Sequence, residues 1–151
     1  MSDVLREALR PETVRLDLRS DAKQPLIGEM LDILDEAGLL ADRARAEQDV
    51  LQREQELSTG ISDGVALPHA RTDGVNQLSA AVALKPGGVD FEALDGRPSE
   101  IFVLALLPER AADKHLDFMS AISRRLQDST VRQNVIKSKT PEDLVAQLVN
   151  V

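Results

Sequence analysis

The 151 residues contain no cysteine, tryptophan or tyrosine, and the only aromatic side chains are three phenylalanines. The lack of thiols removes disulfides, thiolate nucleophiles and zinc–thiolate sites. A chain with so few rings has to build an aliphatic core, and it lacks the stacking platforms that hold bases. Positive charge is short as well: 18 Lys and Arg stand against 26 Asp and Glu, for a formal net charge of -8. Nucleic acid is therefore not an expected partner. No run is long and apolar enough to span a bilayer. The start, MSDVLREAL, has neither the basic nor the apolar segment of a signal peptide. The expectation is a cytoplasmic protein with no direct membrane insertion.

Familiar chemistries are missing too. There is no HExxH and no paired-carboxylate spacing around the two histidines, so no catalytic metal is expected. There is no GxSxG elbow, no GxxxxGK[ST] loop and no GxGxxG, so neither a hydrolase triad nor a bound nucleotide or other cofactor is expected.

What is present is an ordinary balance of 42% apolar and 29% charged residues, at a length that fits one domain over 1–151. Residues 1–12 read as a loosely held lead. Val14, Leu16 and Leu18 alternate with polar neighbours and predict a half-buried strand over 14–18. Leu26, Ile27, Met30, Leu31 and Leu34 share one face of a helix over 23–37, which Gly38 stops. Asp42 suits the cap of a second helix running to about Leu57. Short strands follow at 65–67 and 78–84, KPGG reads as a turn, and SEIFVLALLP predicts a buried strand over 99–108. Helices are expected at 114–126 with Asp113 as cap, at 129–136, and at 141–149 with Thr140 as cap and Pro141 in the first turn. Strands interspersed with helices imply an α/β fold with a central sheet flanked by helices on both faces.

Three polar residues stand out against this pattern. In GVALPHARTDG, Pro68 forces Leu67 into an extended conformation and cannot donate to a ladder, so a short strand should stop at His69 on the sheet edge. An imidazole there is either an idle loop histidine or a nucleophile that is largely uncharged at neutral pH. His115 shares a helical stripe with Met119, Ile122 and Leu126. It reads as a satisfied core histidine or as a neutral donor kept so by its helix terminus. Arg53 lies between Val50 and Leu57 beside the apolar face of its helix. It reads either as a snorkelling side chain or as an anion clamp.

These residues together resemble a family. REQELSTGISDGVALPHARTDGV resembles the phosphorylation region of the fructose/mannitol-type (type 2) enzyme IIA domains of the bacterial phosphotransferase system, a group that includes a nitrogen-regulatory branch. The shared features are Arg53 and Glu54 on a helix, Thr59-Gly60, a loop with Gly64, and a small apolar strand ending Pro68-His69. VDFEALDGRPSEIFVLALLP and KHLDFMSAISRRLQD resemble the segments that follow, so the likeness covers about 13–148. Ser62 stands where the family loop often has a second glycine.

The resemblance implies a mixed sheet between helices and a phosphocarrier. His69 would take a phosphoryl group from phosphorylated HPr, or a paralogue of it, and pass it to a separate IIB domain for sugar uptake. Arg53 and His115 would support the group, and Thr59, Gly60, Ser62 and Gly64 would frame it. The alternative within the family is a regulatory protein that binds targets according to its phosphorylation state. Acidic residues are expected on faces away from His69, with an apolar rim around it.

Overall fold

The computed structural model describes residues 3–110 and 112–150, and the side chains of 4–110 and 117–150. The helices are α1 (Asp3–Ala8), α2 (Lys23–Glu36), α3 (Arg43–Glu56), α4 (Ala112–Leu126), α5 (Ser129–Ile136) and α6 (Pro141–Val149). The strands are β1 (Val14–Arg15), β2 (Val65–Ala66), β3 (His69–Arg71), β4 (Ser79–Val89) and β5 (Ser99–Leu107). They form one mixed sheet in the order β1-β4-β5-β2, with β3 also on β5, so that β2 and β3 share one edge. β4 and β5 pair antiparallel, while β1 on β4 and both β2 and β3 on β5 run parallel.

Alternation along β5 explains the two cores. Phe102, Leu104 and Leu106 join Ala81 and Ala83 of β4 under α2 and α3. Ile101, Val103 and Ala105 join Val82 and Leu84 on the other face, under α1, α4, α5 and α6. A strand buried on both faces reads as a continuous apolar run, and IFVLALL is one. The architecture is the α/β sheet with helices on both faces that the sequence implies.

The helix caps follow their side chains. Asp42 accepts from the Arg45 N–H at the start of α3, and Thr140 accepts from the Asp143 N–H at the start of α6. Helix α4 begins at Ala112 rather than Lys114, which puts Asp113 inside its first turn instead of at its cap.

Other expectations need correction. The expected strand over 14–18 pairs only at Val14 and Arg15. Val14 and Leu18 fall into opposite cores, so the chain turns over beyond Arg15, while Leu18 still donates to the Leu84 carbonyl. KPGG is no turn: β4 runs through it with a register shift between Leu84 and Val89, after which Val89 pairs Ser99. Pro86 cannot donate to a ladder, and the strand rejoins its partner past the irregular stretch. Within the lead segment, Leu5 and Leu9 are buried in the second core, so α1 is packed.

Candidate functional site

His69 does not end a strand; it begins one. β2 stops at Ala66, and β3 opens at His69 opposite Ala105 of the same β5. Between them Pro68, with no N–H to give, offers its carbonyl to the Ala105 N–H at 3.0 Å. The interruption sits at the sheet edge, where a missing donor costs the ladder least.

The ring is half-buried, and its Nδ1 lies 2.8 Å from the Leu67 carbonyl oxygen. A carbonyl only accepts, so Nδ1 carries the proton, and in the neutral ring the lone pair stands on Nε2. Burial is the main influence on its pKa and lowers it from the ordinary 6.5. The Leu67 bond works the other way, the positive charge of Arg53 lowers it further, and the negative charge of Glu54 raises it; the net shift is downward. The ring is therefore an uncharged base at neutral pH.

Arg53 stands in the last turn of α3 and donates from Nη1 to the Leu57 carbonyl at 3.0 Å. A cation there complements the C-terminal end of the helix dipole, and this bond uses one of five donors in its planar fork. The structure thus brings Arg53 and His69 within electrostatic reach of each other. The side chain of His115 lies outside the described residues.

The loop over 58–64 holds its groups inward. The Thr59 N–H and hydroxyl both donate to the Glu54 carboxylate, at 2.8 and 2.6 Å, and the Thr59 carbonyl accepts from the Leu67 N–H at 3.0 Å. The Gly60 N–H donates to the Ser58 hydroxyl, which in turn donates to the Phe91 carbonyl at 2.6 Å. A Cβ on Gly60 would come within 2.8 Å of that carbonyl oxygen, so close approach of two backbones requires glycine. Gly64 adopts φ +79° and offers its carbonyl to the N–H groups of Glu100 and Ile101. Ser62 is exposed, with its hydroxyl 3.5 Å from Asp63. The N–H of Asp63 is bonded to Asp95. With Glu54, three carboxylates thus stand on or against the loop before His69, so acidic residues are not confined to remote faces. Two large apolar side chains next to this loop are exposed: Leu57 is 64% exposed, and Leu94, whose N–H reaches the Gly60 and Ile61 carbonyls, is 79% exposed.

Two residues to which the sequence assigns no role, Glu54 and Lys23, meet behind this loop. The buried line of α3 is Ala46, Val50 and Glu54, while Leu57, expected on that face, is exposed. Glu54 pairs with Lys23 at 2.7 Å, the two side chains being 5% and 19% exposed. Burial would lower the pKa of Lys23, but hydrogen bonds and charges from Glu54 and Glu92 outweigh it and hold the ammonium above its ordinary 10.5. The available signals were a charge spaced four from Val50 and a lysine in a first helical turn, where the dipole disfavours it. Among the described residues, no group of three or more His, Cys, Asp or Glu is placed to hold a metal ion. No described helix is long and apolar enough to cross a membrane.

Comparison with known proteins gives this geometry a family. The chain is 35% identical over 144 residues to the "PTS system fructose-specific EIIABC component" of Bacillus subtilis, covering 95% of this chain and 22% of that protein. It is 33% identical over 141 residues to the "PTS system fructose-specific EIIA component" of Haloferax volcanii, covering 91% of this chain and 92% of that one. Among solved structures, the nitrogen regulatory protein IIA-Ntr of Neisseria meningitidis superposes with a TM-score of 0.89 at 29% identity, over 97% of this chain and 100% of that one. Residues 7–151 match the family described as "Phosphoenolpyruvate-dependent sugar phosphotransferase system, EIIA 2", and the chain belongs to that family.

Proposed function

We propose that the chain is a phosphocarrier that accepts a phosphoryl group on Nε2 of His69 from phosphorylated HPr and hands it to a IIB domain. The observation that carries this reading is the bond from Nδ1 to the Leu67 carbonyl, which leaves the lone pair of a neutral ring on Nε2, with the Arg53 guanidinium within electrostatic reach of that ring. In the transfer, that lone pair attacks phosphorus as the P–N bond of the donor's phosphoimidazolium breaks. The bonding pair returns to the donor ring, which departs as neutral imidazole. The positive charge moves to the His69 ring, where the Leu67 carbonyl stabilises it through Nδ1–H. No net proton is taken up or released, and the donor already carries the activated group.

Arg53 meets the charge on the phosphoryl oxygens, which an acidic chain would otherwise repel. His115 serves as a neutral donor to the same oxygens. Thr59, Gly60 and Gly64 frame His69 through their internal bonds, and Ser62 lies on the exposed side of that frame. Leu57 and Leu94 form an apolar rim for the docking protein.

Identity to the two fructose-specific proteins, at 35% and 33%, exceeds the 29% shared with the nitrogen-regulatory structure, which supports carriage over regulation. The test is incubation with phosphorylated HPr followed by candidate IIB domains. Label that enters the chain and then leaves for a IIB domain is the expected result. Failure to take up label at all would overturn the reading.

A further inference from the structure

Lys23 and Glu54 take no direct part in the transfer, yet they begin an unbroken series of contacts that ends on the His69 ring. The Lys23 ammonium is 2.7 Å from Glu54 Oε2. The Glu54 carboxylate takes both the N–H and the hydroxyl proton of Thr59. The Thr59 carbonyl takes the Leu67 N–H, and on the far side of the same residue the Leu67 carbonyl takes Nδ1–H of His69. Lys23 also reaches Glu92 at 2.9 Å and lies over the Phe91 ring, 5.0 Å from its centre. The ammonium thus ties α2, α3 and the 91–92 segment together behind the loop.

A buried carboxylate with three donors around it has little freedom, because each lost bond leaves a polar group unpaired away from water. The strand segment it holds decides where the Leu67 carbonyl points. We propose that Lys23 and Glu54 are positioning residues for His69: through Thr59 and Leu67 they keep the proton on Nδ1 and the nucleophilic lone pair on Nε2. The inference rests on the reading of His69 as phosphoryl acceptor, but its first test does not.

That test is the 15N spectrum of the His69 ring, recorded with no phosphoryl donor, for the wild-type chain, Glu54→Gln, Lys23→Met and Lys23→Arg. The wild type should show the Nδ1–H tautomer above its titration. Glutamine has one acceptor oxygen where three donors converge, so Glu54→Gln should give a mixture of tautomers. The same variant should titrate at a lower pH, since the negative charge favouring the protonated ring is gone. A mere loosening of the loop would move the titration upward, toward the ordinary value, and so overturns the proposal. Lys23→Met should also mix the tautomers, and Lys23→Arg should restore the single form. An unaltered Nδ1–H tautomer in both Glu54→Gln and Lys23→Met overturns it as well.

Because Glu54 is buried, Thr59→Val and Thr59→Ser form a second pair should Glu54→Gln not fold. Loss of the tautomer in the valine variant alone supports the chain of contacts, and its retention in both overturns it. With phosphorylated HPr, Glu54→Gln should lower the maximal labelling rate by about a hundredfold, the usual effect of a misplaced reacting group. The concentration giving half that rate should hold. A wild-type chain that takes no label would sink the phosphocarrier reading while leaving the spectral result standing.

Discussion

The Nδ1 atom of His69 lies 2.8 Å from the carbonyl oxygen of Leu67, two residues earlier in the chain. That contact spans the proline between them, so the same residue that breaks the strand also turns the carbonyl toward the ring. The bond sets the tautomer, and the tautomer sets which nitrogen can act as a base or nucleophile. Burial keeps the ring uncharged, the direction a nucleophile needs.

The first prediction follows from that geometry. His69→Ala should abolish labelling by phosphorylated HPr, whereas His115→Ala should still be labelled and pass the group on slowly, by about a hundredfold to a thousandfold. Phosphate incorporation with peptide mapping at neutral or alkaline pH checks both, since phosphohistidine is acid-labile. Stoichiometric label on His115 would reverse the assignment.

The second concerns stability and pH. The folded ring has a pKa below 6.5, its value in the unfolded chain. Between those two values the unfolded state binds a proton that the folded state does not, so stability rises with pH across the window. It is lost as pH falls through 6.5 toward the folded pKa. Urea midpoints for the wild type and His69→Gln, measured from about pH 5 to about pH 7.5, should diverge on acidification, the wild type falling faster. Parallel curves would contradict the lowered pKa. Carboxylates held low, such as Glu29 and Asp95, act below their ordinary values of 4.5 and 3.8 and so outside this window.

Much of this fold is legible in local sequence because its signals are local. The bounds of α5 and α6, the caps at Asp42 and Thr140, and β5 from an apolar run all depend on neighbours within a turn or two. β3 is not legible in that way. Pro68 marks a stop, and only the partner β5, more than thirty residues later, gives 69–71 something to pair with. The same holds for Glu54. Its place on the buried line of α3 is periodic and readable, but its purpose depends on Lys23 from another helix. Arg53 and His69 are each ambiguous alone, and their meaning comes from a proximity the fold creates.

Glycine gives a third prediction with opposite signs at two positions. A Cβ on Gly60 would meet the Phe91 carbonyl oxygen at 2.8 Å and Ala93 Cα at 3.1 Å, backbone atoms that cannot step aside cheaply. Gly60→Ala should therefore destabilise by about 1–3 kcal/mol, the usual cost of overpacking. Gly28 lies inside α2, and its nearest neighbour would be the tip of Glu47 at 3.9 Å. Gly28→Ala should stabilise by about 0.5–1 kcal/mol through helix propensity. Urea unfolding with an unchanged slope distinguishes them; a neutral Gly60→Ala would mean that the loop and the 91–93 segment are not in contact.

The fourth prediction separates the two tasks assigned to Arg53. One is local: its Nη1 bond to the Leu57 carbonyl closes the end of α3. A charge at a helix terminus is worth about 0.3–1 kcal/mol, so Arg53→Ala should cost little stability. The other is electrostatic: its charge lowers the His69 pKa and would meet the phosphoryl oxygens as they approach. Arg53→Ala should raise the His69 titration seen by NMR and slow labelling by about a hundredfold or more. Arg53→Lys keeps the charge but loses the planar fork that grips two oxygens at once. It should leave the titration near the wild-type position and recover only part of the rate. The comparison isolates the fork from the charge, because titration reads charge alone while transfer reads both. Full rate in Arg53→Lys would show that charge suffices, and full rate in Arg53→Ala would remove Arg53 from the site.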